Sequence, residues 1–376
     1  MQVETLKSLF KSYKETSLFG RYIHHDDIAP LLKELSKKMH VNSIGKSVNG
    51  IPIHDITFGL GPKKILMWSQ MHGNESTTTK AVFDLLNLLS EENPVSKTIL
   101  EQCTIKIIPI LNPDGARAYT RLNANEIDLN RDAQELSQPE SRVLRNVFED
   151  FKPHYCYNLH GQRTLFSAGK TNNSATVSFL APAQDEARNV TSTRKVAMEI
   201  IAVMNKNLQK QIADQVGIYD DGFNINCVGD AFQSANVPTI LFEAGHYKDD
   251  YSRELTREFI FQSLLLSTSY IAQHSIDGEF SESYFYIPKN EKLFYDIIIR
   301  NTNEKDIAIQ YQEKLVRGLL KFIPKIEKIS NLHNFYGHRE INANGYRVLG
   351  GKGVRISEGN EIDFVEINNN EILLNL

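Results

Sequence analysis

The sequence predicts an α/β fold, a mostly parallel mixed sheet flanked by helices, with a small, mainly β appendage at the C-terminus. Three observations carry that expectation. Between residues 64 and 273, short apolar runs alternate with stretches of helical periodicity. The runs are nearly continuous rather than alternating in polarity, as in strands buried on both faces. Beyond residue 275 the texture changes to β-rich segments and glycine turns. A catalytic domain over residues 1–279 followed by a β-rich domain over residues 280–376 is the expected division.

Taken in order, residues 64–69 form the first of these buried strands. Residues 76–90 follow as a helix, with Ala81, Val82, Leu85, Leu86, Leu88 and Leu89 at helical spacing. Residues 104–111 are the next strand, closed by the turn Asn112-Pro113-Asp114-Gly115. A helix fits residues 138–151, with Pro139 in its first turn and Val143, Leu144, Val147 and Phe148 facing inward. Residues 154–159 and 238–242 read as strands, and residues 194–213 and 257–273 as helices. Strands alternating with helices argue for a parallel arrangement. In the appendage, residues 283–287, 294–300 and 345–349 read as strands, with turns at Gly350, Gly351 and Gly353. Residues 314–329 read as a helix that Pro324 interrupts, and residues 368–370 as a turn.

Composition narrows the partners. In 376 residues, 41% are apolar and 23% charged, which is ordinary globular usage and excludes disordered, collagenous and coiled-coil classes. The 42 basic and 46 acidic side chains leave a net charge of -4. A chain built to neutralise phosphate or anionic lipid carries the opposite sign, so neither nucleic acid nor a membrane is the expected partner. Nor is there an apolar run long enough to span a bilayer. Cys103, Cys156 and Cys227 are too few and too scattered for a disulfide framework, and the first two fall in buried strands. The opening residues lack the pattern of a secretory signal, so the cytoplasm is the expected address.

The chemistry gathers where the strands end. His72 and Glu75 follow the first strand, His160 follows the one beginning at His154, and Glu243 follows residues 238–242. In open parallel sheets the carboxyl ends of the strands form the ligand crevice. Two imidazoles and two carboxylates therefore converge on one rim. Two His and one Glu are a ligand set for catalytic zinc, which leaves Glu243 to act as a base. Each element alone is weak, since a His-x-x-Glu spacing occurs often by chance. A polar block over residues 112–131 strengthens the combination.

With that block the sequence resembles the M14 zinc carboxypeptidases, and its compact spacing is similar to the bacterial and cytosolic branches of that family. The matching motifs are His72-Gly73-Asn74-Glu75, Asn112-Pro113-Asp114-Gly115, Asp128-Leu129-Asn130-Arg131, His160 and Glu243, in the family's order over about half the chain. The resemblance implies the family's fold and a single zinc ion per chain held by His72, Glu75 and His160. It implies that Glu243 moves protons between water and the leaving amine, and that Arg121 holds the developing oxyanion. Asn130 and Arg131 then grip the substrate's terminal carboxylate, and Asp128 orients a ligand histidine. The implied partner is a small peptide with a free C-terminal carboxylate.

Several features depart from the digestive members. Asp132 follows Arg131 where related branches often carry Asn, and Gly161-Gln162 follows the third ligand. Tyr219, 24 residues before Glu243, stands where a substrate-covering tyrosine is expected, with Tyr247 as a weaker counterpart. Arg117 competes with Arg121 for the oxyanion. Asp221 and Asp230 read either as selectors of a basic end group or as turn residues. His333 and His338 are poor material for a second metal site, and the appendage reads as a packing or lid module. A different enzyme class, the N-acyl amino acid amidohydrolases of the aspartoacylase and succinylglutamate-desuccinylase type, shares the His-Gly-Asn-Glu and Asp-Leu-Asn-Arg elements. The Asn112 turn favours the peptidase. A non-catalytic carboxylate binder is the third reading, disfavoured because every ligand position is intact.

Overall fold

The computed structural model describes the backbone of all 376 residues and every side chain except that of Lys352. The chain divides into two units. The first holds Met1–Gln162 and Ala175–Asn290, and the second Arg163–Ser174 and Glu291–Leu376. The division thus falls eleven residues beyond the boundary expected after residue 279. Tyr284 is the reason: its side chain is buried in the first unit's core, and its hydroxyl accepts the Ala181 N–H at 3.3 Å.

Helices α1 (Val3–Tyr13) and α2 (His25–Leu35) precede β1 (His40–Lys46), β2 (Pro52–Phe58) and β3 (Lys63–Ser69). Then come α3 (Thr77–Leu89), α4 (Pro94–Gln102), β4 (Cys103–Ile108), α5 (Pro113–Ala118), α6 (Pro139–Phe151) and β5 (Tyr155–Gly161). Strands β6 (Phe166–Ala168) and β7 (Val177–Leu180), α7 (Ser192–Leu208), β8 (Val216–Ile218), α8 (Val228–Ser234), β9 (Thr239–Ala244) and α9 (Glu254–Gln273) follow. The eight-stranded sheet runs β1-β2-β4-β3-β5-β9-β7-β8. Its centre, β4-β3-β5-β9, is parallel, and antiparallel pairings join β1, β2 and β7 to it.

Alternation along β3 explains why the sheet is covered twice. Ile65 and Met67 enter one apolar cluster with α3 and α9, while Leu66 and Trp68 enter a second with α6 and α8. Each such side chain removed from water contributes about 1.5–3 kcal/mol. Cys103 and Cys156 are part of these clusters, as small apolar groups. Beneath α3 lies a buried charge network. Arg257 of α9 bonds both oxygens of Asp84 at 2.6 and 2.7 Å, and donates to the carbonyls of Glu15 and Leu18. The N-terminal segment is thereby tied to the two helices that back the sheet.

In the second unit β11 (Phe294–Arg300), β12 (Asp306–Val316), β13 (Leu319–Ser330) and β14 (Tyr336–Asn342) form a sheet ordered β13-β12-β11-β14, after a short β10 (Asn290–Lys292). Strands β15 (Val348–Gly350), β16 (Phe364–Ile367) and β17 (Asn370–Leu373) form another. Three expectations change here. Residues 314–329 are not a helix but most of a long hairpin, turned at Arg317 and Gly318 with φ of 52° and 78°. Pro324 is tolerated because β13 is an edge strand. Residues 283–287 lie mostly in a 3-10 turn, Ser281–Tyr286, rather than a strand, and the strand expected over 345–349 begins only at Val348. The turn at residues 368–370 holds, with Asn368 and Asn369 both at positive φ between β16 and β17. Among the described residues no helix is long and apolar enough to cross a membrane.

Candidate metal centre and active site

The turn after β3 is built by its neighbours. Gln70, at φ 43°, donates its side-chain amide to the carbonyls of Gly73 at 2.8 Å and Ile23 at 2.9 Å. Asn112 caps α5 through Gly115 N–H and donates to Met71 O. Gly73 lies so close to Gly115 that a Cβ would stand 1.9 Å from its carbonyl carbon, so no larger residue fits. Nothing in the sequence marks Gln70 as part of the site, because it reads as the polar end of an apolar strand.

This turn delivers His72 and Glu75 to the end of β5. His72 Nδ1 lies 2.9 Å from Glu75 Oε1, His160 Nδ1 lies 2.9 Å from Glu75 Oε2, and the two Nδ1 atoms are 3.1 Å apart. A tetrahedral zinc site with bonds of about 2.0–2.1 Å separates its ligand atoms by roughly 3.3 Å. The donor set and its spacing fit that ion. These residues form the one group of three or more such donors, among the described residues, with ligand atoms close enough to hold a metal.

Around this group the electrostatics follow from burial and charge. Burial alone would raise the Glu75 carboxyl, but His72 and His160 outweigh it and hold it far below the ordinary range. Burial lowers His160, with no partner strong enough to reverse it. In His72 burial is overcome by Glu75 and Asp128, so its pKa rises. Asp128 Oδ1 sits 3.0 Å from His72 Nε2, leaving Nδ1 turned toward the cluster. Glu243 is the register partner of His160 on β9. Burial first, then the Glu75 charge, pushes its carboxyl well above the ordinary value, and its Oε2 is buried without a hydrogen-bond partner.

The remaining expected residues take distinct places. Arg121 clasps Asp128 Oδ2 through Nε and Nη2 at 3.2 and 3.1 Å, with Nη1 3.4 Å from Glu75 Oε1. Its rival Arg117 is instead paired with Asp26 of α2. Asn130 accepts the Val228 N–H at 3.2 Å, and Arg131 donates to Asn130 O at 2.8 Å. Tyr219 adjoins the cluster: burial, then Glu243 and Glu75, raise its phenol. Tyr247 packs on Phe259 in the apolar core. Asp221 is paired with Arg194 at 2.7 Å, and Asp132 accepts the backbone N–H groups of Ser137 and Gln138. Asp230 accepts from Asn224 and Cys227, with burial pushing it up to about 6. His338 Nε2 meets Thr164 O at 2.8 Å, and its ring stacks on Phe294.

Known proteins resemble this chain in sequence and in fold. The zinc carboxypeptidase (Peptidase M14) family profile matches residues 25–273. Carboxypeptidase SOL1 of Arabidopsis thaliana is 30% identical over 163 residues, covering 37% of this chain and 33% of that protein. Carboxypeptidase M of Mus musculus is 28% identical over 171 residues, 38% and 39% of the respective chains. The chain thus spans about a third of the length of these curated relatives. Carboxypeptidase A from Helicoverpa armigera superposes with a TM-score of 0.54 at 14% identity, covering 72% of this chain and 80% of that one. A metallo-carboxypeptidase from Burkholderia cenocepacia gives 0.51 at 16% identity, covering 65% and 68%. Those likenesses establish the fold, and the match over residues 25–273 establishes that the chain belongs to the M14 zinc carboxypeptidase family.

Proposed function

We propose that the protein removes the C-terminal residue from small peptides, using one zinc ion held by His72, Glu75 and His160. The convergence of three donor atoms beside the unpartnered carboxyl oxygen of Glu243 carries this reading. Zinc held there would supply a Lewis acid and a water whose pKa is lowered to about 7. Glu243, facing the same point from β9, takes a proton from the attacking water and returns it to the departing amine, a role worth about 10²–10⁴-fold. Arg121, with its guanidinium over the donor cluster, meets the carbonyl oxygen as charge builds on it, and losing one such donor costs about 10²–10³ in rate. Asp128 holds the proton on His72 Nε2 so that Nδ1 keeps its lone pair.

The substrate's carboxylate goes to Arg131 and Asn130. A guanidinium bonds a planar carboxylate bidentately, and the Asn130 side chain is fixed by the Val228 N–H. Tyr219, its phenol kept neutral, closes over the bound end residue and donates to it. The unit of Met1–Gln162 and Ala175–Asn290 carries this chemistry, and the second unit is a β-rich module. A reducing cytoplasm suits three cysteines that all stand unpaired.

The test is metal analysis of the purified protein together with mass-spectrometric turnover of a mixed library of peptides and N-acyl amino acids. One zinc per chain and release of single C-terminal residues is the expected outcome. Cleavage confined to N-acyl amino acids overturns the peptidase reading, and an inert chain under zinc-replete conditions overturns the catalytic one.

A further inference from the structure

Asn158 lies on β5 two residues before His160, so the two side chains share one face of the sheet. On that face Trp68 of β3 and Leu241 of β9 are its register partners. The side chain is fully buried, and neither its Oδ1 nor its Nδ2 has a hydrogen-bond partner. A leucine of similar shape would fill the position without stranding a donor and an acceptor, so packing gives no account of this amide.

Its surroundings say what could satisfy it. Gly229 of α8 faces Asn158, and a Cβ built there would stand 3.8 Å from Nδ2 and 3.2 Å from the Pro182 ring. Gly229 follows Val228, whose N–H is held by Asn130. The amide therefore stands between the metal-ligating His160 on one side and the α8 residues that fix the carboxylate grip on the other. In the proposed binding mode, with its carboxylate at Arg131 and its scissile bond at the donor cluster, an end residue would direct its side chain toward that interval. The acidic residues of the neighbouring segment are engaged elsewhere, Asp221 with Arg194 and Asp230 with Asn224 and Cys227.

We propose that Asn158 reads the side chain of the residue to be released, and that it selects a neutral group that both donates and accepts, a primary amide foremost. Two amides can exchange a pair of hydrogen bonds, which satisfies both orphaned atoms at once. An aliphatic end residue would leave them unpaired, and sites built in this way reject such analogues strongly. The inference rests on the carboxypeptidase reading and names the substrate class of that site.

The test compares kcat/KM of the zinc-loaded protein on acyl dipeptides ending in Gln, Asn, Leu, Phe, Lys and Glu. A second readout measures product inhibition by free glutamine and free leucine. The expected result is a preference for Gln or Asn over Leu of at least about 100-fold, with glutamine the stronger inhibitor. In Asn158→Leu that preference reverses while zinc content stays at one per chain. Cleavage in which Leu or Phe equals the amides overturns this inference and leaves the carboxypeptidase reading standing. Failure to release any end residue overturns both. Should Asn158→Leu not fold, the wild-type ratio and the two inhibition constants decide.

Discussion

The Asp128 carboxylate joins His72 to Arg121: Oδ1 lies 3.0 Å from His72 Nε2, while Oδ2 accepts from Arg121 Nη2 at 3.1 Å. One side chain thus fixes the tautomer of a proposed metal ligand and places the guanidinium beside the same cluster. Burial works against the Asp128 charge, but His72 and Arg121 overcome it and keep the carboxyl ionised. Replacing such a partner weakens metal binding by about 10–100-fold. Asp128→Ala is expected to lose zinc affinity within that range in competition with a chromophoric chelator. An affinity equal to the wild type would show that His72 needs no such support.

Glu243 and the ligands separate by their effects. Glu243→Gln is isosteric and leaves the three donor atoms in place, so it should retain zinc while losing about 10²–10⁴-fold in kcat. His160→Ala removes a donor and should lose the metal itself. The pair is read by metal analysis alongside turnover. Zinc loss in Glu243→Gln would move that residue from proton carrier to ligand.

Arg131 is exposed, and its guanidinium donates to the carbonyl of its neighbour Asn130. A free carboxylate should therefore be its main partner. Removing one half of such a charge pair costs about 2 kcal/mol or more, near 30-fold. Arg131→Ala is expected to reduce kcat/KM on free peptides by that factor, mostly through KM. The residual rate on C-terminally amidated peptides should not change. Equal losses on both substrate types would contradict the assignment.

How much of this was open to sequence reasoning depends on whether a residue's role is set locally. His72, His160 and Glu243 could be placed because each ends an apolar run, and strand ends in a parallel sheet share one rim. The long hairpin in the second unit has the sequence pattern of a helix. Leu315, Leu319, Phe322, Ile323 and Ile326 mimic helical spacing, and only the turn at Arg317 and Gly318 reverses the chain. The first 60 residues carry no clear element signal. Helix α2 begins at an unusual cap, His24, and carries Pro30 inside it, both of which mask a helix signal. Gln70 and Asn158 have no sequence signal because their positions are defined by strands and turns distant in the chain.

Arg257 and Asp84 are both fully buried, joined by two bonds of 2.6 and 2.7 Å. Such a pair contributes little by itself, because both charges have left water, but an unmatched buried charge is costly. Asp84→Ala is therefore expected to lose about 3–5 kcal/mol in a denaturant titration. Turnover per folded molecule should remain, since neither side chain touches the donor cluster. A loss below about 1 kcal/mol would mean that the Glu254 carboxylate, 3.2 Å from Arg257 Nη1, and the carbonyls of Glu15 and Leu18 suffice for the guanidinium.

Asp230 gives the stability a pH dependence of known sign. Burial raises its carboxyl to about 6, above the value near 3.9 expected in the unfolded chain. The folded state then holds its proton more tightly than the unfolded state does. The stabilisation is complete below about pH 4 and is lost as pH rises through about 6. An amide at this position cannot titrate, yet its oxygen can still accept from Asn224 N–H. Asp230→Asn should therefore gain in melting temperature relative to the wild type between pH 4.5 and about 6.5, and the difference should level off above that. Thermal melts of both proteins across this range check it. A difference that stays flat would mean the carboxyl titrates at its unfolded value, as it would if water reached it freely.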